Sequence, residues 1–151
     1  MFKKLVPFDM KKHGNKKIKT VNSFRFAEKS FIASVMLNEL NFASPLYPIV
    51  FLKDEHEKYG LYALLGLNQD ENLFVGRDGK WQAPYIPAII RRYPFALGRD
   101  EVKNEFIICL DEESEFINDT EGEALLESDG SPGKILTQVR EYLAELYRMN
   151  E

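Results

Sequence analysis

The C-terminal stretch from Ser131 carries the strongest periodic pattern of the chain. Ser131 and Pro132 are suited to the N-cap and first position of a helix. The apolar side chains that follow recur at helical spacing and form one stripe: Ile135, Leu136, Val139, Tyr142, Leu143, Leu146 and Tyr147. An apolar stripe must be buried against another element, so the pattern predicts an amphipathic helix over 132–148 that packs on a sheet.

Short apolar runs in the middle of the chain predict that sheet. YPIVFLKD and GLYALLGLN flank a polar stretch that ends in Gly60, which is a hairpin signal. NLFVGRDGKW indicates a further strand and a turn in which Gly79 is suited to positive φ. PFALGRD and EFIICLDEE indicate two more strands, and the continuous apolar run of the second is typical of a central strand. We therefore predict one antiparallel meander from Pro48 to Leu110.

The remaining stretches complete an α+β prediction. A helical stripe predicts an N-terminal helix over 30–41, with its apolar face formed by Phe31, Ile32, Val35, Met36 and Leu40. Residues 1–22 are Lys-rich and predict an extended arm with a strand at KKIKTV. An acidic loop is expected from Asp111 to Gly130, with a short strand at EALLE. No repeat or second domain is evident, so residues 1–151 are predicted to form a single domain.

The segment YIPAIIRRYPF, residues 85–95, predicts a short helix of about two turns. Ile86, Ile89, Ile90 and Tyr93 share one helical face. Pro84 and Pro87 are tolerated only before or within a first turn, and Pro94 ends the helix. Arg91 and Arg92 then fall in the last turn, where positive charge suits the helix dipole.

Charge is distributed unevenly along the chain. Residues 1–25 hold eight Lys and Arg residues against one acid, whereas residues 100–130 hold twelve acids against one base. Two solvated faces would explain this pattern; the alternative is a basic arm that docks on the acidic segment, within one chain or between two. The net charge of −4 is mild and does not suggest a nucleic-acid partner.

No catalytic or metal-binding motif stands out. Cys109 lies within an apolar run and is expected to be buried and unreactive. The two histidines, His13 and His56, lie in polar stretches and are expected to be exposed. The carboxylates of 111–115 lack the spacing of a calcium loop, so a solvated acidic loop is the preferred interpretation. We predict neither a metal nor a cofactor.

Arg91 and Arg92 could bind a carboxylate or phosphate, although such a pair is more often surface charge. Trp81, Tyr85 and Tyr93 lie nearby in the sequence, and arginine with aromatic residues is the composition of interface anchors. We hypothesise that one of the arginines reaches an acid of the 111–115 loop or a partner's carboxylate.

The longest apolar runs fall far short of the about 20 residues that a membrane-spanning helix requires. The N-terminus has lysines without the apolar run of a signal peptide. No transmembrane segment is therefore predicted, and the expected location is cytoplasmic, or peripheral at the cell surface by an unrecognised route.

Three blocks of this sequence resemble the SapC family of bacterial proteins: NLFVGRDGKWQAPYIPAIIRRYPFAL, FIICLDEES and GEALLESDGSPGKILTQVREYLAEL. The residues that carry the resemblance are Leu73, Phe74, Gly79, Trp81, Tyr85, Pro87, Arg91 or Arg92, Tyr93, Pro94, Phe95, Cys109, Asp111, Glu112, Ser114, Gly122, Glu123 and Gly130. The blocks occur in the family's order along most of the chain. Family members are usually longer, and their final region is not expected here.

The resemblance implies a non-enzymatic binding or accessory protein linked to surface-layer or peptide-modification systems. It implies a protein or peptide partner, and a homodimer is an open alternative. Candidate partner-binding residues are Trp81, Tyr85, Arg91, Arg92, Tyr93, Asp111, Glu112 and Ser114. Two other functions stay open: an enzyme that uses the 111–115 loop with Arg91 and Arg92, and a small inhibitor or antitoxin-type module.

Overall fold

The structure is a computed structural model that describes residues 1–53, 57–100 and 105–148. Its strands are β1 (Leu5–Pro7), β2 (Lys17–Ile18), β3 (Ile32–Ser34), β4 (Ile49–Lys53), β5 (Tyr59–Leu64), β6 (Phe95–Asp100), β7 (Glu105–Asp111), β8 (Ile117–Asn118) and β9 (Glu123–Ala124). Its α-helices are α1 (Met10–His13), α2 (Leu40–Ala43), α3 (Ala88–Arg91) and α4 (Lys134–Arg148), and 3-10 turns lie at Arg25–Ala27 and Leu37–Glu39. The α+β prediction with antiparallel sheets is confirmed.

The chain forms two compact units, which we describe separately. Unit 1 comprises Met1 and residues 22–91. Its sheet has the antiparallel order β3-β5-β4, with Ala33 opposite Ala63 and Phe51 opposite Leu61. The small side chains Ala27, Ala33, Ala43 and Ala63 are buried together with Val35, Tyr47, Leu65 and Ile90.

Unit 2 comprises residues 2–21 and 92–151. One antiparallel sheet has the order β1-β7-β6, and a second has the order β8-β2-β9. β7 is central, as its apolar run predicts. Helix α4 lies against β6 and buries Leu136, Leu143 and Leu146, so the amphipathic C-terminal helix is also confirmed. Its predicted start is wrong, because the helix begins at Lys134 and Pro132 forms a β-bridge with Leu126.

The helix predicted over 30–41 is wrong. Residues 32–34 form β3, and Val35 continues the pairing through its N–H to the Leu61 carbonyl. Helical structure begins only at Leu37 and ends at Ala43. The apolar positions suit both periodicities, but Ile32 and Val35 are β-branched and β5 offers an open edge for pairing.

Other predicted elements are shorter than the sequence pattern indicates. The meander from Pro48 to Leu110 is divided between two sheets, and NLFVGRDGKW contributes only a Val75–Trp81 bridge, with Gly79 at φ 80°. KKIKTV and EALLE each provide a two-residue strand. A short helix is present at Ala88–Arg91, but it has four residues instead of the predicted two turns, and Arg92 lies beyond its end. The turn predicted at GRDEVKN lies partly outside the described residues. That residues 1–151 form a single domain stays a prediction.

Candidate functional site

The segment 85–95 crosses from unit 1 into unit 2 between Arg91 and Arg92. The partner-binding candidates named from the sequence therefore belong to two different units. Trp81, Tyr85 and Arg91 belong to unit 1. Arg92, Tyr93, Asp111, Glu112 and Ser114 belong to unit 2. The contacts within each group show what each residue does.

In unit 1 the group is organised by Glu39, a buried acid at the end of the 3-10 turn Leu37–Glu39. Its carboxylate accepts the backbone N–H of Met36 at 3.0 Å, the backbone N–H of Ala88 at 2.8 Å and the hydroxyl of Tyr85. These donors offset the loss of hydration that burial of a carboxylate entails. We call this arrangement the Glu39 clamp, and it ties the helical segment 37–43 to the start of α3.

Tyr85 connects the Glu39 clamp to the surface of unit 1. The exposed guanidinium of Arg91 donates to the Tyr85 hydroxyl at 3.3 Å and lies 5.4 Å from the centre of its ring. Phe42 stacks on the same ring with a centroid distance of 5.5 Å. Burial, together with the hydrogen bond that the hydroxyl donates to Glu39, raises the pKa of Tyr85 to about 12, so the hydroxyl stays protonated at neutral pH.

Two apolar side chains of the same segment are largely exposed: Leu37 at 74% and Phe42 at 61%. Phe42 and Arg91 both contact Tyr85, and Leu37 lies in the 3-10 turn of the same segment as Phe42; we call these four residues the aromatic–arginine patch. Large apolar side chains at such exposure next to an arginine have the composition of interface anchors. The patch rests on Glu39, so its backbone is held in place.

Trp81 supports the patch from within unit 1. Its indole N–H donates to the Tyr47 hydroxyl at 2.8 Å, and that hydroxyl donates to the Tyr85 carbonyl. The indole also packs edge-on against Phe24 and stacks with Phe74. Trp81 is therefore a supporting residue rather than an exposed anchor.

In unit 2 the group is organised by another buried acid, Asp111, whose side chain is fully buried at the end of β7. It accepts the backbone N–H groups of Lys3 at 2.9 Å, Lys4 at 2.8 Å and Glu113 at 3.3 Å. It also accepts the Tyr93 hydroxyl at 3.0 Å. We call this arrangement the Asp111 clamp, and it fixes the start of the basic arm to the sheet.

Electrostatics of the Asp111 clamp favour the charged carboxylate. Burial opposes ionisation of Asp111, but the donors from Lys3, Lys4 and Tyr93 outweigh it and hold its pKa below the usual value. Burial raises the pKa of Tyr93 to about 12, with Asp111 acting in the same direction and Ser114 opposing. The solvated-loop interpretation is therefore wrong for Asp111.

Glu112 contacts three side chains of the basic arm. Its carboxylate lies 2.9 Å from the Lys4 ammonium, contacts the Lys12 ammonium and lies 3.2 Å from His13 Nε2. The hydrogen bonds from Lys12, Lys4 and His13 lower its pKa to about 2.

His13 is buried, with 2% of its surface exposed, so the prediction of an exposed histidine is wrong for this residue. Its Nδ1 accepts the Asp9 backbone N–H at 2.9 Å, which leaves the proton on Nε2 to donate to Glu112. Asp9 is the sequence feature that marks the helix carrying His13. Its side chain accepts the backbone N–H groups of Lys11 and Lys12 and so caps the short helix α1. The other histidine, His56, lies outside the described residues.

Further ion pairs extend the docking of the arm along the acidic segment. Lys16 pairs with Asp119 at 2.8 Å, and Lys19 pairs with Glu121 at 2.9 Å. Both pairs flank the β8-β2-β9 sheet, in which β2 of the arm is central. The alternative, that the basic arm docks on the acidic segment within one chain, is therefore the correct one, and the preferred interpretation of two solvated faces is wrong for these contacts.

Ser114 and Cys109 are both buried in unit 2. The Ser114 hydroxyl accepts the Phe116 N–H at 3.2 Å and thereby closes the turn after β7. Burial raises the pKa of the Cys109 thiol, and its predicted burial is confirmed. Its low reactivity stays a prediction.

Arg92 has a different environment from Arg91. Its guanidinium lies 5.6 Å from the centre of the Phe2 ring, and its buried Nε has no hydrogen-bond partner. Burial lowers its pKa, with Tyr142 opposing. The hypothesis of an internal bond to the 111–115 loop is wrong for Arg92, because within the described part of the chain it forms no ion pair.

Sequence reasoning missed Glu39 and His13. Glu39 is the single acid between Lys29 and Asp54, in a stretch that is mostly uncharged and rich in apolar residues. An isolated acid in such a stretch is a signal for a buried, hydrogen-bonded carboxylate. Over residues 1–53, 57–100 and 105–148, His, Cys, Asp and Glu side chains form no group of three or more that could hold a metal ion.

Comparison with known families decides the identity of the chain. The SapC family model matches residues 8–151. The chain belongs to the SapC family. No curated protein and no solved structure is significantly similar to it. Of the helices that the structure describes, none has the length and apolarity needed to cross a bilayer. In this SapC protein the family-like residues Tyr85, Tyr93, Asp111, Glu112 and Ser114 all make internal contacts.

Proposed function

We propose that this SapC protein is a non-enzymatic binding or accessory protein, and that its partner is a protein or peptide of a surface-layer or peptide-modification system. It would act in the cytoplasm or peripherally at the cell surface. The observation that carries the proposal is the aromatic–arginine patch of unit 1, in which Leu37 and Phe42 are largely exposed and both Phe42 and Arg91 contact Tyr85.

Preorganisation supports a binding role for this patch. Tyr85 is fixed by its bond to Glu39, and Phe42 stacks on its ring. Side chains that are already ordered lose less conformational entropy on association, which improves affinity for a given contact area.

The chemistry of the patch suggests what the partner presents. Arg91 offers a guanidinium, which prefers carboxylates and binds them through two parallel hydrogen bonds. Leu37, in the 3-10 turn, and Phe42, in α2, offer exposed apolar surface. A partner segment that combines an acidic side chain with an aliphatic or aromatic one fits these groups.

The acids of unit 2 give less support to the enzyme alternative. Asp111 accepts four hydrogen bonds within the unit, and Glu112 is shared among Lys4, Lys12 and His13. A general acid or base needs a proton-transfer position that a substrate can reach. Internal bonding of these carboxylates favours a structural role.

The test compares partner capture by matched variants. The full chain is immobilised and incubated with extract of the source bacterium, and bound proteins are identified and then titrated individually. We expect Phe42→Ala and Arg91→Gln each to weaken binding of the specific partner by at least about tenfold. Leu67→Ala is the matched control, because Leu67 is 86% exposed in the same unit and lies outside the patch.

Thermal melts establish that each variant is folded before binding is compared. Equal partner affinity for wild type, Phe42→Ala and Arg91→Gln would contradict the proposal. So would a chemical change in the partner that follows incubation with wild type and is lost in a variant of Glu112, because that result would favour an enzyme.

A further inference from the structure

Unit 2 contains a cavity of about 540 Å³ between helix α4 and the strands β6 and β7. Its floor is formed by Leu97, Phe106 and Ile108. Leu97 lies directly opposite Ile108 in the β6–β7 register, and Phe106 lies two residues before Ile108, so all three share one face of the sheet. The volume lies within the range of small-molecule sites, about 300–1,000 Å³.

The wall of the cavity comes from one face of α4. Ala144 and Tyr147 line it together with Arg140 and Arg148. These four positions fall at helical spacing, so their side chains project from the same face. The rings of Tyr147 and Phe106 also contact each other in a tilted arrangement with a centroid distance of 4.3 Å, so both contribute aromatic surface to the cavity.

The two arginines differ in their local bonding. Arg148 donates from Nε to the Ala144 carbonyl at 3.4 Å. Arg140 makes no hydrogen bond or ion pair with any residue that the structure describes. Neither arginine forms an ion pair with a residue that the structure describes. An apolar cavity with cations on its wall complements a ligand that has an apolar body and one negative charge.

We propose that this cavity binds an amphipathic carboxylate: an acyl chain lies over Leu97, Ile108 and Phe106, and the carboxylate is held by Arg140. The distance along α4 from Arg140 to Arg148 is about 12 Å, from a rise of about 1.5 Å per residue. An acyl chain of the length of decanoate spans that distance. The site is distinct from the aromatic–arginine patch, which belongs to unit 1.

Calorimetric titration of the full chain with decanoate, below its micelle concentration, tests the proposal. We expect one decanoate per chain, and binding of the neutral analogue decanol at least about tenfold weaker, since a hydrogen bond to a charged group is lost. Arg140→Gln should weaken the binding of decanoate by a similar factor and leave the binding of decanol unchanged. Lys134→Gln, an exposed cation of the same helix outside the cavity, should bind decanoate as wild type does.

A second pair of variants tests the place of binding. Ala144→Trp fills the cavity and should abolish binding of decanoate. Gln138→Trp is the control: it adds the same side chain at an exposed position of α4 that does not line the cavity, and should bind decanoate as wild type does. If Ala144→Trp does not fold, the decanoate–decanol comparison on Arg140→Gln decides alone.

Three outcomes would overturn the proposal. The first is that wild type does not bind decanoate, and the second is that Ala144→Trp folds and binds it as wild type does. The third is that the wild-type chain self-associates, that Ala144→Trp makes it monomeric and that decanoate has no effect. In that case the cavity is a contact between copies of the chain.

Discussion

The Glu39 clamp of unit 1 and the Asp111 clamp of unit 2 solve the same problem with the same chemistry. Each consists of a buried carboxylate that accepts one tyrosine hydroxyl and two or more backbone N–H groups. The two tyrosines, Tyr85 and Tyr93, frame a single short segment of the chain. Neither carboxylate is paired directly with a cation in these contacts.

The difference lies in what surrounds each clamp. The Asp111 clamp holds the backbone of the basic arm, and next to it Glu112 binds Lys4, Lys12 and His13 of the same arm. The Glu39 clamp holds a segment whose apolar side chains, Leu37 and Phe42, point to solvent. One clamp therefore completes an internal interface, whereas the other presents a surface, and this contrast suggests which one serves a partner.

The largest expected effect is that of Asp111→Ala. The substitution leaves three backbone N–H groups and the Tyr93 hydroxyl without their acceptor in a buried place. We expect a loss of about 3 kcal/mol or more in the free energy of unfolding. Denaturant unfolding measures it, and hydrogen exchange should show increased opening of β1.

Glu113→Ala is the control for Asp111→Ala, because Glu113 lies in the same loop with an exposed side chain. If both substitutions lower the free energy of unfolding equally, the effect belongs to the loop and not to the clamp. Glu39→Ala provides the comparison in unit 1, where three donors lose their acceptor.

Removal of one hydroxyl from each clamp gives a finer comparison. Tyr93→Phe and Tyr85→Phe each delete a hydrogen bond to a carboxylate, and we expect each to lower the free energy of unfolding by about 1.5 kcal/mol. Only Tyr85→Phe should also weaken partner binding, because Arg91 donates to that hydroxyl. Tyr59→Phe, at a 68% exposed tyrosine, should change neither quantity.

If Tyr93→Phe weakens partner binding as strongly as Tyr85→Phe does, the assignment of separate roles to the two clamps is wrong. Equal melting temperatures and equal partner affinities for wild type and both variants would mean that neither tyrosine hydroxyl contributes to stability or to binding.

Acid should act on the docking of the arm in unit 2. The folded-state pKa of Glu112 is lowered from 4.5 to about 2. A lowered carboxylate pKa contributes stability that is present above the unfolded value and is lost as pH falls through the folded value. We therefore expect the contacts of Lys4, Lys12 and His13 to weaken as pH falls from 4.5 towards 2.

Hydrogen exchange of α1 and β1 across this pH range checks the prediction. Glu112→Gln removes the titrating group, so in that variant the exchange of α1 should depend less on pH. An unchanged pH dependence in Glu112→Gln would mean that another group loosens the arm. Asp111, whose pKa is also lowered, is the next candidate.

The sequence predicts the elements with strong periodicity and fails where two periodicities compete. Helix α4 and the central strand β7 follow directly from their apolar patterns. The stretch 31–36 satisfies a helical stripe and a strand at once, and pairing with β5, which is distant in sequence, selects the strand. Local pattern carries no information about an open sheet edge far along the chain.

The candidate site shows the same limit. Tyr85, Tyr93 and Asp111 stand out in the sequence, but their roles depend on acceptors and donors far away: Glu39 for Tyr85, and Lys3 and Lys4 for Asp111. The complementary charge of the arm and the acidic segment is visible in composition, but it is compatible with two solvated faces as well as with docking, and only the structure selects docking. Which lysine meets which acid depends on strand register, and composition does not encode register.

The smallest expected effect concerns the two adjacent arginines and separates them most clearly. Arg92 is half-buried over Phe2, and its Nε has lost hydration without gaining a hydrogen bond. Arg92→Met keeps most of the aliphatic volume and removes a partly desolvated charge, so we expect the free energy of unfolding to change by less than about 0.5 kcal/mol or to rise. Arg91→Met should leave stability similarly unchanged but weaken partner binding, because Arg91 is exposed in the aromatic–arginine patch. Thermal melts of both variants combined with partner titration distinguish the two positions. A large loss of stability in Arg92→Met would instead mean that its guanidinium supports unit 2 through the Phe2 ring and Tyr142.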